Sequence, residues 1–213
     1  MSELAKAIRG ETITLLPRVD EPDEPVVGRI THGAFSNLLF QVVLDRFGKT
    51  AFARSSACME FESFLRSIFF ITAGAASATC LEIGTYQGSS AIILSQFFKR
   101  VICVSVDDDL RRIIKRDIIE YLGIKNIEFY DAHNNKEKKQ IIDSMEFDFA
   151  YLDGDHIHDT HEDFALVKRC GRVLFHEYWP LQAVVWNLVN SLPPSEVKRA
   201  QVDCFAYWER KGG

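Results

Sequence analysis

The chain has no cysteines paired at a metal-ligand or redox spacing. Its five cysteines, Cys58, Cys80, Cys103, Cys170 and Cys204, stand apart in apolar segments, and no C-x-x-C occurs. That excludes a thiolate zinc site and a disulfide framework, and free thiols fit a reducing, cytoplasmic setting. No apolar run is long and uncharged enough for a membrane span: the most apolar helical pattern, residues 61–78, is broken by Glu62 and Arg66. Residues 1–16 lack a long hydrophobic core, so no secretory signal is expected. An excess of positive charge is also missing. With 25 Lys and Arg against 30 Asp and Glu, the formal net charge is −5, which argues against a broad nucleic-acid-binding surface. Arg111, Arg112, Lys115 and Arg116 do cluster, but among Ile113, Ile114, Ile118 and Ile119 at helical spacing, so they read as a solvated helix face.

What is present is a core. At 213 residues, 47% hydrophobic and 26% charged, the chain fits one globular domain. Its organising stretch is Cys80-Leu81-Glu82-Ile83-Gly84-Thr85-Tyr86-Gln87-Gly88-Ser89-Ser90. Leu81 and Ile83 read as strand, and Gly84 ends it. Ala91, Ile92, Leu94, Phe97 and Phe98 then recur at helical spacing. Val101 to Val106 is a nearly unbroken apolar run, the pattern of a parallel strand covered on both faces, and Asp107 closes it. Strand, glycine turn, helix and strand make the right-handed crossover of open α/β sheets. Gly84 and Gly88 let backbone press against a ligand. The helix start near Ser89 would aim N–H groups at an anionic end. Asp107 lies about twenty residues past the turn, where an acid can accept from ribose hydroxyls.

A dinucleotide site wants G-x-G-x-x-G, but Tyr86 stands where the second glycine would be and would obstruct a pyrophosphate. The L-E-I-G-T-x-x-G-x-S stretch instead resembles the first motif of class I S-adenosylmethionine-dependent methyltransferases. It is most similar to that of small-molecule O-methyltransferases of the catechol and caffeoyl-CoA type and their bacterial relatives. The resemblance covers residues 58–210 and implies a Rossmann-like, seven-stranded, mostly parallel sheet of order 3-2-1-4-5-7-6. One strand near the edge would be antiparallel, helices would lie on both faces, and a helical cap would precede the sheet. It further implies that Glu82, Gly84, Thr85, Tyr86, Gly88, Ser90, Asp107, Asp131, Ala132 and Asp153 meet the cofactor, with Ser90 at the methionine carboxylate and Asp131-Ala132 at adenine. Glu82 inside a strand needs partners; backbone amides or the ligand's ammonium group are expected to supply them.

Residues 1–28, acidic and punctuated by Pro17, Pro22 and Pro25, read as an arm or linker. Residues 29–78 carry two helical patterns, Phe35 to Phe47 and Glu60 to Ala73, suited to cap the sheet, cover the site or join two copies of the chain. Residues 79–213 form the core. After the second strand come a helix from Leu110 to Leu122 closed by Gly123, a strand at Ile127 to Tyr130, a helix near Lys136 to Ser144 and a strand at Phe147 to Leu152. A helix from Thr160 to Cys170 and a strand at Arg172 to Phe175 follow. Pro180 reads as the first position of the next helix, with Leu181, Val184, Val185, Leu188 and Val189 on one face. Strands near Val197 to Gln201 and Cys204 to Glu209 are close enough to pair antiparallel.

A second site follows the fourth and fifth strands, at Asp153-Gly154-Asp155-His156 and His176-Glu177. In an open parallel sheet these ends share an edge with Gly84 and Asp107, and their oxygen and imidazole donors can converge on a divalent cation. The pair resembles the metal-dependent branch of the same family, which implies Asp153, His176 and Glu177 as ligands. Glu177 is longer than the family's Asp or Asn, and His176 is softer than a carboxylate, so manganese, iron or zinc compete with magnesium. His156, with Asp155 beside it, is the expected proton acceptor. The expected reaction is methylation of a small hydroxylated acceptor. Alternatives are a metal-independent methyltransferase, a non-catalytic binder of S-adenosylmethionine or another nucleotide, and, from the density of Asp155-His156-Ile157-His158-Asp159-Thr160-His161, a metallohydrolase. A capping box of Asp159 with Glu162 accounts for part of that density.

Overall fold

The computed structural model describes residues 13–15, 26–28, 78–85, 88–95, 97–106, 116, 119–120, 123–199 and 205–211. The two expected N-terminal helices, Tyr86 and Asp107 lie outside the described residues, as does most of the Leu110 to Leu122 helix. Within the first 28 residues, β1 (Ile13–Leu15) pairs antiparallel with β2 (Val26–Gly28).

The core is a seven-stranded sheet built from β3 (Thr79–Ile83), β4 (Arg100–Ser105), β5 (Ile127–Asp131), β6 (Phe149–Leu152), β7 (Arg172–Phe175), β8 (Val197–Arg199) and β9 (Ala206–Glu209). Their order is β5-β4-β3-β6-β7-β9-β8. Numbered from β3, that is the expected 3-2-1-4-5-7-6. Only β9 runs against the rest, antiparallel to both β7 and β8.

Alternation along the strands divides the core. Leu81, Ile83, Ile102, Val104, Ala150, Leu152, Val173 and Phe175 share one face. They meet Ile142 of α2 (Asn135–Asp143), Phe164 and Val167 of α3 (Thr160–Val167), and Val185, Leu188 and Val189 of α4 (Ala183–Ser191). Phe164 sits 5.4 Å from Phe175 and 5.3 Å from Trp208, ring to ring; burying each such ring contributes about 1.5–3 kcal/mol. The opposite face carries Cys80, Glu82, Cys103, Phe149 and Tyr151, all buried. There α1 (Ser89–Leu94) is tied to β3 through Ser90, which donates to Glu82, and Phe98 beyond it packs 5.2 Å from Phe149.

The C-terminal ends of the parallel strands are knitted together one residue past each strand. Gly84 N–H donates to Val104 O (3.0 Å), Asp153 N–H to Ile83 O (2.9 Å), His176 N–H to Leu152 O (3.0 Å) and Ala132 N–H to Ser105 O (2.9 Å). Four loops therefore leave the sheet in fixed register along a single edge. Gly123 closes its helix as expected, with φ +67° and its N–H on Glu120 O.

Three local expectations are corrected. Pro180 does not begin α4. Glu177 takes φ +55°, and a turn follows in which Trp179 N–H reaches Glu177 O and Gln182 N–H reaches Trp179 O. The helix begins at Ala183, and Leu181 is 89% exposed rather than on its apolar face. Helix α3 ends at Val167 and tightens into a 3-10 turn over Lys168–Cys170. Asp159 precedes α3 but makes no side-chain cap; its carboxylate pairs with Lys138 instead.

Candidate functional site

A cavity of about 430 Å³ opens at this edge, lined by Ile83, Gly84, Ser105, Val106, Asn135, Lys138, Asp153, Gly154, Asp155 and Asp159. Its size falls in the range of roughly 300–1,000 Å³ typical of ligand sites. It lies where the strand order reverses between β3 and its neighbours, the place where open α/β sheets bind ligands. Gly84 makes the crevice. Its φ is +90°, and a Cβ there would stand 2.2 Å from Asp153 O and 2.4 Å from Gly154 Cα. Gly88, at φ +87°, returns its N–H to Thr85 O and accepts from Ile92 N–H at the start of α1. Thr85 is buried beside Glu82 and Cys103.

Glu82 is fully buried. It is satisfied by side chains rather than by backbone amides: Ser90 Oγ donates to Oε1, and Cys103 Sγ donates to Oε2 at 3.2 Å. Burial pushes its carboxyl up to about 7 against the opposing pull of Ser90 and Cys103. Ser90, expected at the methionine carboxylate, is thus engaged by Glu82. Asp131 ends β5 and pairs with Arg116 at 2.6 Å, while Ala132 is buried beside it.

At the ends of β6 and β7 three side chains converge. Asp153 Oδ1 lies 2.5 Å from His176 Nδ1 and 3.4 Å from His156 Nε2, and Tyr151 OH donates to Asp153 Oδ2 at 3.0 Å. One donor atom from each of Asp153, His156 and His176 falls within 4.8 Å of the others. Burial alone would raise the Asp153 carboxyl; the facing imidazoles of His176 and His156 outweigh it and hold it below the usual carboxylate range. Phe205 stacks on the His176 ring, centroids 5.0 Å apart.

The grouping differs from the sequence expectation at two residues. His156 joins Asp153 and His176, whereas Glu177 is outside that group, its Oε2 buried without a hydrogen-bond partner among the described residues. Asp155 lines the crevice, and its Oδ1 accepts from Ile157 N–H at 2.8 Å and His158 N–H at 3.1 Å, which lowers its pKa. His158 and His161 are exposed and outside the group. Tyr151 and Phe205 were not anticipated. Tyr151 of β6 lies two residues before Asp153, which is one residue past the strand, so period-2 alternation brings the two side chains to the same side; Phe205 carries no such signal.

No family model matches the sequence, and no curated protein matches it. Among solved structures it is similar to an O-methyltransferase from Klebsiella pneumoniae, at 14% identity and a TM-score of 0.60, over 81% of this chain and 90% of that one. It is likewise similar to a Bacillus cereus O-methyltransferase in complex with S-adenosylhomocysteine, at 15% identity and 0.57, over 84% and 100%. A Podospora anserina methyltransferase bound to the same product aligns at 14% and 0.57, over 82% and 86%. The fold is that of the class I methyltransferases. In this fold the Gly84 crevice and the Asp153 cluster adjoin: Asp153 lines the crevice, and Gly154 and Asp155 line both the crevice and a small second cavity beside His156 and His176. No described helix is long and apolar enough to cross a membrane.

Proposed function

We propose that the chain transfers the methyl group of S-adenosylmethionine to an oxygen of a small hydroxylated acceptor, assisted by a divalent cation. The observation that carries this reading is the adjacency of the glycine crevice to the Asp153, His156 and His176 cluster through Asp153 itself. One carboxylate oxygen and two imidazole nitrogens fit a manganese, iron or zinc ion better than magnesium. Such an ion, held by these three residues, supplies Lewis acidity that lowers the pKa of an acceptor hydroxyl.

The chain's own residues do the rest. Tyr151 and Phe205 fix Asp153 and the His176 ring, so the cluster is oriented before an acceptor arrives. Gly84 brings the crevice floor against Asp153, and Glu82 and Ser90 anchor the start of α1 beneath the methionine end. Asp107, which follows β4 in the sequence, is the residue we assign to the ribose. A second reading needs no cation: His156, facing Asp153 as an imidazole faces its orienting carboxylate in hydrolytic triads, removes the acceptor's proton.

The test is formation of S-adenosylhomocysteine from S-adenosylmethionine with a panel of phenolic and sugar hydroxyl acceptors, before and after chelation. Acceptor-dependent product that is lost on chelation and restored by manganese or zinc supports the cation reading. Product insensitive to chelation moves the chemistry to His156. Absence of any product with every acceptor, despite cofactor binding, would leave a binding module rather than an enzyme.

A further inference from the structure

Lys138 is a buried lysine, its side chain only 7% exposed, in the second turn of α2. Its Nζ is 3.3 Å from Asp159 Oδ2, a hydrogen bond, and 2.8 Å from Asp163 Oδ1, an ion pair outside hydrogen-bond angles. Asp159 and Asp163 are four residues apart and so present carboxylates from one side of the start of α3. A lysine rarely goes so deep unless paired, and pairing alone explains why it is tolerated. It does not explain why Lys138 lines the crevice together with Asn135, three residues earlier on the same face of α2.

The placement of an elongated nucleoside in this crevice is constrained. Its amino-acid end belongs at Gly84–Ser90 after β3, and its ribose at the end of β4. The base then extends toward β5 and the first turns of α2, where Asn135 and Lys138 stand. An ammonium has three N–H groups. One is donated to Asp159 Oδ2, Asp163 is held by charge at 2.8 Å, and among the described residues the remaining N–H groups have no hydrogen-bond acceptor. Lysine beside a nucleotide would ordinarily meet phosphate, but Asp153, Asp155 and Asp159 also line this cavity, and their charge disfavours a phosphate while suiting a sulfonium.

We infer that Lys138 is a cofactor-recognition residue whose ammonium, held by its hydrogen bond to Asp159 and its ion pair with Asp163, donates an N–H left over from that hydrogen bond to a ring nitrogen of the adenine of S-adenosylmethionine. This rests on the crevice being the S-adenosylmethionine site. The pair of carboxylates removes the lysine's rotational freedom, so the donor is aimed before the cofactor binds.

The experiment is calorimetric titration of the full chain with S-adenosylhomocysteine and with its 1-deaza, 3-deaza and 7-deaza adenine analogues. In the wild type, at least one analogue is expected to bind about tenfold or more weakly than the parent, as loss of a hydrogen bond to a charged group requires. In Lys138→Met/Asp163→Leu, which removes the buried charges together, that discrimination should disappear. Equal binding of all four ligands by the wild type overturns the assignment while leaving the site itself standing. Discrimination that persists in the double variant also overturns it, and the wild-type series decides alone if that variant does not fold. Failure of S-adenosylhomocysteine to bind the wild type removes both this inference and the proposed function.

Discussion

Gly84→Ala is the sharpest perturbation of the crevice, because it adds one carbon where backbone already lies. The new Cβ would meet Asp153 O at 2.2 Å, Asp153 C at 2.4 Å and Gly154 Cα at 2.4 Å. None of these is the end of a flexible side chain, and Asp153 N–H is bonded back to Ile83 O, so the loop cannot retreat without breaking the register of the edge. The positive φ costs about 1–2 kcal/mol for any residue with a Cβ, and forcing extra volume into packed backbone adds about 1–3 kcal/mol. The total is roughly 2–5 kcal/mol. Gly123→Ala is the internal control. Its φ is +67° and no described atom lies within 4 Å of the added carbon, so only the backbone contribution of about 1–2 kcal/mol applies. Urea unfolding of both variants, compared at unchanged slope, isolates the packing part as their difference. Stabilities within about 0.5 kcal/mol of each other would refute the close approach of β3 and β6 on which the crevice depends.

Three further outcomes follow from particular contacts. His156→Ala should lower turnover about 100-fold or more while leaving the dissociation constant for S-adenosylhomocysteine within about twofold, by steady-state kinetics and calorimetry; unchanged turnover removes His156 from the chemistry. Glu82 holds its proton in the fold up to about pH 7 but loses it near its ordinary 4.5 when unfolded, so the folded state binds more protons between those values. Stability of the cofactor-free protein should therefore fall as pH rises from 4.5 to 7, by about 3 kcal/mol from this group, and Glu82→Gln should flatten the profile; identical profiles would contradict an elevated Glu82. Asn126→Ala removes donors to Ser95 O at 2.8 Å and Phe98 O at 3.0 Å. It should cost about 1–3 kcal/mol of stability by thermal or urea unfolding, with no effect on cofactor affinity.

Local pattern was enough for the sheet. The apolar run at Val101, the break at Gly84 and the tight spacing of the last two strands each reflect rules that act within a few residues, and β4, α1 and the antiparallel β8–β9 pair appear where those rules put them. The crevice at Gly84 was legible for the same reason, since the glycine that ends β3 takes a positive φ there. What stayed hidden depends on partners distant in sequence. Asp159 looked like a helix cap, but Lys138, 21 residues away, draws its carboxylate to a buried ammonium. Glu177 looked like a ligand because it follows His176, but alternation and the positive φ leave His156, from the neighbouring loop, to face Asp153. Glu82 found Cys103 because β3 and β4 are in parallel register at that level, a pairing no local pattern specifies.

The most direct test of the site is a crystal structure of the chain grown with S-adenosylhomocysteine. Density is expected along the β3 and β4 ends, with the homocysteine over Gly84 to Ser90, the ribose at Asp107, the adenine beside Lys138 and the sulfur directed toward Asp153 and His156. A nucleoside bound anywhere else, or the same crevice without it at saturating concentration, would contradict the assignment.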